Sequence, residues 1–416
     1  MYLRGGKLNM KKRRRRPSNP LLIAFLLLAI GGLIYFNQVV VPDMPAPFMP
    51  SPTPTRSQES ILNEAQSYFD EGKFSQAIES YQQAVLADPR NPATFIELAR
   101  TQVFAGAYQD AVTNAENALL LNPNNSMAYA IKATALDYLG EYDDAALAAS
   151  KAIELDPNNA AAYAYYTEIL LDKGNYEDIE SAITMSQKAQ ALAPNALETH
   201  RARGYVLFNT GNYPEAIAEY QAAIAINDKL WDLHYSLGIV YRTQGEYDQA
   251  IQELLTAVAF NPTNPDILTD ISRTYATEGQ YGKAIQYAQQ ALSLEPSNAR
   301  LHGNLGVMLY QNDEYAAAAD ELSLVIHGGT TSDGTVVNGL PLEPGRIADD
   351  YFSIYALSLT QLDRCPEAIP IMQLILTNIA DDQVAYYNAT QGMDYCKASA
   401  GTQPASTPTL PEQVTP

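Results

Sequence analysis

Cysteine is almost missing from this 416-residue chain: Cys365 and Cys396 are the only two. That excludes a disulfide-dense scaffold and a multi-cysteine metal knuckle. Histidine is scarce as well, with four residues. No helical zinc motif and no glycine-rich phosphate loop occurs. The adjacent acids Asp143-Asp144 and Asp349-Asp350 read as solvated faces, not as an acid/base dyad. The turns Asn122–Asn125 and Asp156–Asn159 are superficially like calcium loops, but they lack the mid-loop glycine, and Thr167 stands where an acidic ligand is needed. The chain therefore reads as non-enzymatic, with no catalytic, cofactor-binding or metal-binding residue to assign. Positive charge is the last shortage. Lys and Arg number 26 against 47 Asp and Glu, for a net charge of −21, and eight of the 26 lie before residue 21. A surface this acidic repels nucleic acid and favours solubility and basic partners.

What the chain has in abundance is one short pattern. Gly72 is followed by Ala77, Tyr81, Ala84 and Pro89; the layout returns as Gly106, Ala111, Ala115, Ala118, Pro123, and again as Gly140, Ala145, Ala149, Ala152, Pro157. The prolines at 89, 123 and 157 are 34 residues apart. A fixed period of this size signals a stacked array, since one helical pair cannot bury its own apolar face. Later copies keep the register with departures: three residues inserted after Gly174, Asp228 in place of proline, and Asp313 and Asp363 in place of the turn glycine. Each unit reads as two helices, A and B, joined by a glycine turn. Gly204, Gly238 and Gly306 let helix A approach helix B closely. The alanines sit on the buried stripe of helix B. The unit-ending proline stops helix B and suits the first turn of the next helix.

This pattern resembles the tetratricopeptide repeat family over about residues 59–327, with a looser fit over 347–398. The resemblance implies an all-α, right-handed solenoid of about nine repeats with a concave groove lined by the A helices. It also implies a scaffold for protein–protein contacts, whose groove takes an extended peptide or a helix of a protein partner. In the family, positions 2, 5, 9, 12 and 13 of helix A face the groove; here those positions include Arg100, Phe104, Tyr138, Arg201, Tyr205, Phe208, Asn209, Tyr235, Arg242, Arg273, Arg300 and Tyr310. Arginine grips carboxylates in a forked geometry, and tyrosine supplies rigid contact area. A segment carrying acidic groups is the expected occupant. The opposing expectation is that these arginines pair with nearby acids such as Glu198, Asp232 and Asp266 and leave the groove empty. Three histidines, His200, His234 and His302, share one register four residues before the close-packing glycines, which points to a packing slot between helices instead of a metal site.

The amino-terminal end carries a different signal. Residues 1–20 are basic, with a run from Lys11 to Arg16; residues 21–41 (LLIAFLLLAIGGLIYFNQVVV) are uncharged and long enough to cross a bilayer. The basic flank places the amino terminus in the cytoplasm and the array outside it, in a single-pass cell-membrane topology. The rival reading is a cleaved signal peptide. The proline-crowded stretch after Val41 offers no small-x-small cleavage site, which favours an uncleaved signal anchor. A proline-rich linker (42–58) then leads to the array (59–327), an inserted loop (328–346), a degenerate repeat with a capping helix (347–398) and a disordered tail (399–416). In the loop, Thr335-Val336-Val337 running into Asn338-Gly339 suggests a hairpin turning at the Asn-Gly pair. Equivalent turns of a stacked array lie side by side, so Cys365 and Cys396 fall within bridging range; two separately buried thiols are the alternative. The functional expectation is a membrane-anchored protein-binding scaffold. A self-associating envelope protein, and a regulatory or assembly subunit of a membrane or secretion complex, remain as alternatives.

Overall fold

The computed structural model describes residues 19–40 and 57–401, which belong to two separate units divided after Ser57. Most of the basic tail, the proline-rich linker and the carboxy-terminal tail lie outside the described residues. The first unit is a helix, α1 (Pro20–Tyr35), continued by a π-helical turn, Phe36–Val40. Asn19 caps it by accepting from the Leu21 N–H at 3.2 Å, and Pro20 starts it where no N–H is needed. None of its side chains is buried, and Pro20–Val39 is long and apolar enough to cross a membrane, a property it shares with signal sequences.

The second unit is an α-solenoid of consecutive antiparallel helix pairs. The first five pairs are α2 (Gln58–Asp70) with α3 (Phe74–Ala87), α4 (Pro92–Phe104) with α5 (Tyr108–Leu121), α6 (Ser126–Tyr138) with α7 (Tyr142–Leu155), α8 (Ala160–Asp172) with α9 (Asp178–Leu192), and α10 (Leu197–Asn209) with α11 (Tyr213–Ile226). Next come α12 (Trp231–Gln244) with α13 (Tyr247–Phe260), α14 (Pro265–Thr277) with α15 (Tyr281–Leu294), and α16 (Ala299–Gln311) with α17 (Tyr315–His327). After the inserted loop, a π-helical stretch (Ile347–Phe352) runs into α18 (Ser353–Gln361), which pairs with α19 (Cys365–Asn378), and α20 (Gln383–Gly401) caps the stack.

The repeat residues do what their types allow. The turn position is left-handed at Gly106 (φ 77°), and Asp313 and Asp363 adopt the same region at φ 62° and 57°. Losing the glycine therefore leaves the turn intact at the cost of a conformation that L-residues resist. A Cβ on Gly238 would lie 2.8 Å from Leu254, and one on Gly306 would lie 2.6 Å from Leu322, so helices A and B touch through these missing side chains. Ala77, Ala84, Ala111, Ala118, Ala145 and Ala152 are all fully buried. The unit-ending prolines differ from expectation. Pro89, Pro123 and Pro157 sit in the inter-unit turn, and the asparagine two residues later caps the next helix: Asn91, Asn125 and Asn159 accept from Ala93, Ala128 and Ala162 at 3.0, 3.0 and 3.2 Å. The three-residue insertion after Gly174 is absorbed in the turn before α9, where Asn175 donates to Asp178 at 3.0 Å.

Two features lie beyond the 34-residue period. The first pairs lean on the fifth and sixth. The indole of Trp231 donates to the Phe104 carbonyl at 3.1 Å, Arg100 pairs with Glu198 at 2.8 Å, and a Cβ on Gly72 would come within 2.7 Å of the Lys229 Cβ. Phe69, Phe74 and Phe104 share one apolar cluster with Leu230, Leu233 and Tyr220. The second feature is the inserted loop. Its hairpin pairs Gly329–Thr330 (β1) with Val336–Val337 (β2), so the turn falls at Thr331–Thr335 and not at Asn338-Gly339. Thr331 receives the Thr335 N–H at 3.0 Å, and Gly334 supplies a φ of 91°. Gly339 is used instead for close approach to the backbone of Ile326–Gly328, next to the Leu340 N–H bond to Val325 at 2.7 Å. Cys365 at the start of α19 and Cys396 in α20 are joined as a disulfide, with Cα atoms 5.6 Å apart.

Candidate functional site

The A helices of the third to sixth pairs converge on a small acidic chamber. Its core is Arg201 on α10, only 5% exposed. The guanidinium forks onto Glu168 of α8, with Nε and Nη2 at 2.9 and 2.8 Å from the two carboxylate oxygens, while Nη1 reaches Asp232 of α12 at 3.1 Å. The Tyr205 hydroxyl donates to Asp172, and Asp172 also hydrogen-bonds Asp137 of α6. Four carboxylates thus face one cation. Burial drives the Glu168 carboxyl up to about 7 even against Arg201. Burial, helped by Asp172 and Glu168, drives Asp137 up to about 9. Together with Tyr138, Tyr220, Trp231 and Tyr235, these groups line a cavity of about 240 Å³.

A second hollow, about 600 Å³, opens further along the array and is lined by Arg242, Arg273, Asn304, Arg346, Asp350 and Tyr351 among others. Its charge is differently arranged. Arg242 is held by Asp270 at 2.6 Å, but Arg273 lies 3.7 Å from Asp270, and Arg346 lies 3.7 Å from Asp350. Burial and the nearby Arg346 hold the Arg273 guanidinium below its ordinary value. Asp270 divides the two regions, taking Tyr235 on one oxygen at 2.7 Å and Arg242 on the other.

The groove positions named from sequence fall in several places. Tyr138, Arg201, Tyr205 and Tyr235 line the chamber, and Arg242 and Arg273 line the hollow. Arg100 and Phe104 are engaged in the contact with the fifth and sixth pairs. Phe208 packs on Tyr213, Asn209 donates to the Tyr205 carbonyl, Tyr310 packs on Tyr315, and Arg300 is exposed at the start of α16. Sequence reasoning named Glu198 and Asp232, which do pair with Arg100 and Arg201, but missed Asp137, Glu168 and Asp172. The signal was there, because Asp137, Glu168, Asp172 and Asp232 occupy positions 12, 9, 13 and 2 of their own A helices, the same positions that supplied the arginines. Arg346, contributed by the inserted loop, carried no register signal at all.

The histidines sit between helices as expected, and hydrogen bonds add to the packing. Each links helix A to its own helix B through a carboxylate: Nδ1 of His200, His234 and His302 lies 2.6 Å from Glu219, Glu253 and Glu321. The constant spacing of 19 residues is visible in the sequence once it is sought. Nε2 of His234 and of His302 faces a backbone carbonyl, at 3.1 and 2.9 Å. With an acceptor at each ring nitrogen, both rings are held above their ordinary value against the opposing effect of burial. Among the described residues, no three His, Cys, Asp or Glu side chains are grouped so as to hold a metal ion.

A stack of helical hairpins with close-packed A and B helices and a charged inner face defines an α-solenoid of the repeat-scaffold class. The chain belongs to the tetratricopeptide repeat family: models described as TPR repeat match residues 204–245 and 240–271, and models described as tetratricopeptide repeat match 68–135, 128–159, 148–181 and 269–331. No curated protein matches it in sequence. Among solved structures it is similar to the human IFIT1 dimer with PPP-AAAA (17% identity, TM-score 0.54, covering 82% of this chain and 83% of that one). It is also similar to the Cut9 and Hcn1 hetero-tetramer of APC/C (20%, 0.49), of which it spans 55% of the matched chain with 70% of its own length. A tetratricopeptide repeat protein from Parabacteroides merdae aligns at 16% identity and a TM-score of 0.40, over 61% of this chain and 100% of that one. At these identities the likeness concerns the fold.

Proposed function

We propose that the chain is a membrane-anchored, non-enzymatic scaffold that holds an acidic segment of a protein partner in the hollow between Arg242, Arg273 and Arg346. The observation that carries this reading is the arrangement of the three guanidiniums, two of which have their nearest carboxylate partner at 3.7 Å, around an open hollow of about 600 Å³. A carboxylate from outside would approach Arg273 and Arg346 in the forked geometry that arginine favours. Anchoring rests on Pro20–Val39 and on the basic run Lys11–Arg16 before it. The Cys365–Cys396 bridge supports an array outside the cytoplasm, since disulfides persist in oxidising compartments.

The test is capture from native membranes in mild detergent, comparing the full chain with the Arg242→Ala/Arg273→Ala double variant at equal helicity. One protein held by the parent and lost from the variant supports the hollow as the partner site. The same proteins on both baits would sink that assignment. Capture of further copies of the chain alone would point to self-association, and stoichiometric capture of a channel or catalytic subunit to a role inside a larger membrane complex.

A further inference from the structure

The acidic chamber has acceptors to spare. Asp137 is 7% exposed, no protein N–H or O–H reaches its Oδ1, and its link to Asp172 depends on a proton that one of the two carboxyls must carry; Oδ1 of Asp232 has no donor either, and both residues line the cavity of about 240 Å³. The resident cation cannot serve them. Nε and Nη2 of Arg201 are turned to Glu168, and its Nη1 is turned to the other oxygen of Asp232. An acceptor left open in a low-dielectric site is costly, so the site favours a donor, and carboxylates that outnumber Arg201 even with one proton held between Asp137 and Asp172 favour a donor that is positive. The remaining walls are the rings of Tyr138, Tyr205, Tyr220, Trp231 and Tyr235, together with Ser236. Aromatic faces suit both a methylene stem and a cation beside them.

We propose that this chamber binds a primary alkylammonium group, supplied by a lysine side chain of a partner or by a free aliphatic diamine. The open oxygens come from two different helices, α6 and α12, and so do not present the single flat carboxylate edge that a guanidinium fork matches. An ammonium is a compact charge with three rotatable donors and needs only point acceptors. The site is separate from the arginine-lined hollow, so each reading can fail without the other.

Protons are coupled to such binding. Asp172 and Glu168 from α8 and Arg201 from α10 act on Asp137 directly, and Tyr138 on α6, Tyr205 from α10, Tyr220 from α11, and Asp232 and Tyr235 from α12 line the same cavity. With its carboxyl pushed up to about 9, Asp137 is protonated at neutral pH and shares that proton with Asp172. An arriving ammonium displaces the proton to solvent. Binding therefore tightens as the pH rises toward 9.

Isothermal titration of the full-length chain in detergent micelles at pH 8, with 1,5-diaminopentane and separately with Nα-acetyl-lysine amide, tests the site. The expected result is saturable one-to-one binding, weakened at least tenfold by Asp137→Asn and by Asp232→Asn, unchanged by the exposed control Asp248→Asn, and with a heat that varies with the ionisation enthalpy of the buffer. The melting temperature of each variant shows that the fold is retained. Tighter binding of the lysine derivative assigns the ammonium to a partner's side chain, and tighter binding of the diamine to a free small molecule. Absence of saturable binding by either amine, equal binding by parent and both chamber variants, or calcium ion binding with the same sensitivity to the two substitutions overturns the proposal.

Discussion

The chamber around Arg201 and the hollow around Arg273 are built from the same positions of the same kind of helix, yet they carry opposite chemistry. In the chamber the arginine is surrounded: neighbouring A helices bring Glu168 and Asp232 onto it, and Asp137 and Asp172 stand behind. In the hollow the inserted loop brings a third arginine, Arg346, toward Arg242 and Arg273; Asp270 holds Arg242 closely, but Arg273 and Arg346 keep their carboxylates at 3.7 Å. The sign of a groove is therefore a property of adjacent repeats taken together, and no single repeat reveals it. Closure differs as well. The chamber lies on the side of the array where the first pairs dock on the fifth and sixth through Trp231 and Phe104; the hollow lies beyond that contact.

The sharpest way to break the contrast is to remove each arginine in turn. Arg201→Met leaves Glu168 and Asp232 without a countercharge in a buried site, and a loss of about 3–5 kcal/mol is expected in urea unfolding followed by circular dichroism. Arg273→Met, at a pair 3.7 Å apart, should stay within about 1 kcal/mol of the parent. Comparable losses at the two sites would erase the distinction. Next in size is Gly72→Ala. Its φ of +73° costs an L-residue about 1–2 kcal/mol, and the new methyl meets the Lys229 Cβ at 2.7 Å. The contact between the first and sixth pairs should loosen. Trp231, the only tryptophan and 8% exposed, reports it as a red-shifted emission, while acidic-segment binding in the hollow is unchanged.

Acidity sharpens the comparison further. Asp137, up at about 9, and Glu168, up at about 7, bind protons in the folded chain that the unfolded chain has released above about pH 4. Their contribution to stability is complete below about pH 4 and is lost progressively as pH rises from there, ending near 7 for Glu168 and near 9 for Asp137. The melting temperature should fall over that window, and Asp137→Asn should flatten the upper part of the slope and raise the melting temperature at pH 8. His234 and His302 act with the same sign, since a raised imidazole stabilises below its unfolded value near 6.5 and ceases to do so above its folded one; parallel measurements on His302→Gln separate the two sources. The smallest effect belongs to the turn of the eighth pair. Asp313→Gly relieves a left-handed aspartate at φ 62° and should gain about 0.5 kcal/mol in thermal unfolding.

Much of the fold was legible because its determinants are local. Gly106, Ala111 and Ala118 recur with their period, and Gly238 and Gly306 announce a close helix pair by lacking a side chain. The candidate site was legible only in its positions. Arg201 and Tyr205 stand out in an acidic chain, whereas Asp137 and Glu168 blend into it, and burial, which decides their role, has no sequence signature. The Trp231–Phe104 contact spans 127 residues, far outside the reach of a 34-residue period. The prolines misled for a smaller reason: Pro89 breaks helix α3 as expected, but the cap on α4 is Asn91.

The docking of the first pairs on the fifth and sixth also changes how the array should come apart. An ideal solenoid melts like a zipper, with each unit held only by its neighbours and the ends going first. Here the amino-terminal end is fastened by Trp231, Arg100 and the Gly72–Lys229 contact to units far along the chain. The first six pairs are thereby tied into one cooperative block, whose formation must await a long loop closure and is slow for that reason. Amide exchange should find protection shared across that block, with unit-by-unit fraying confined to the pairs that follow it.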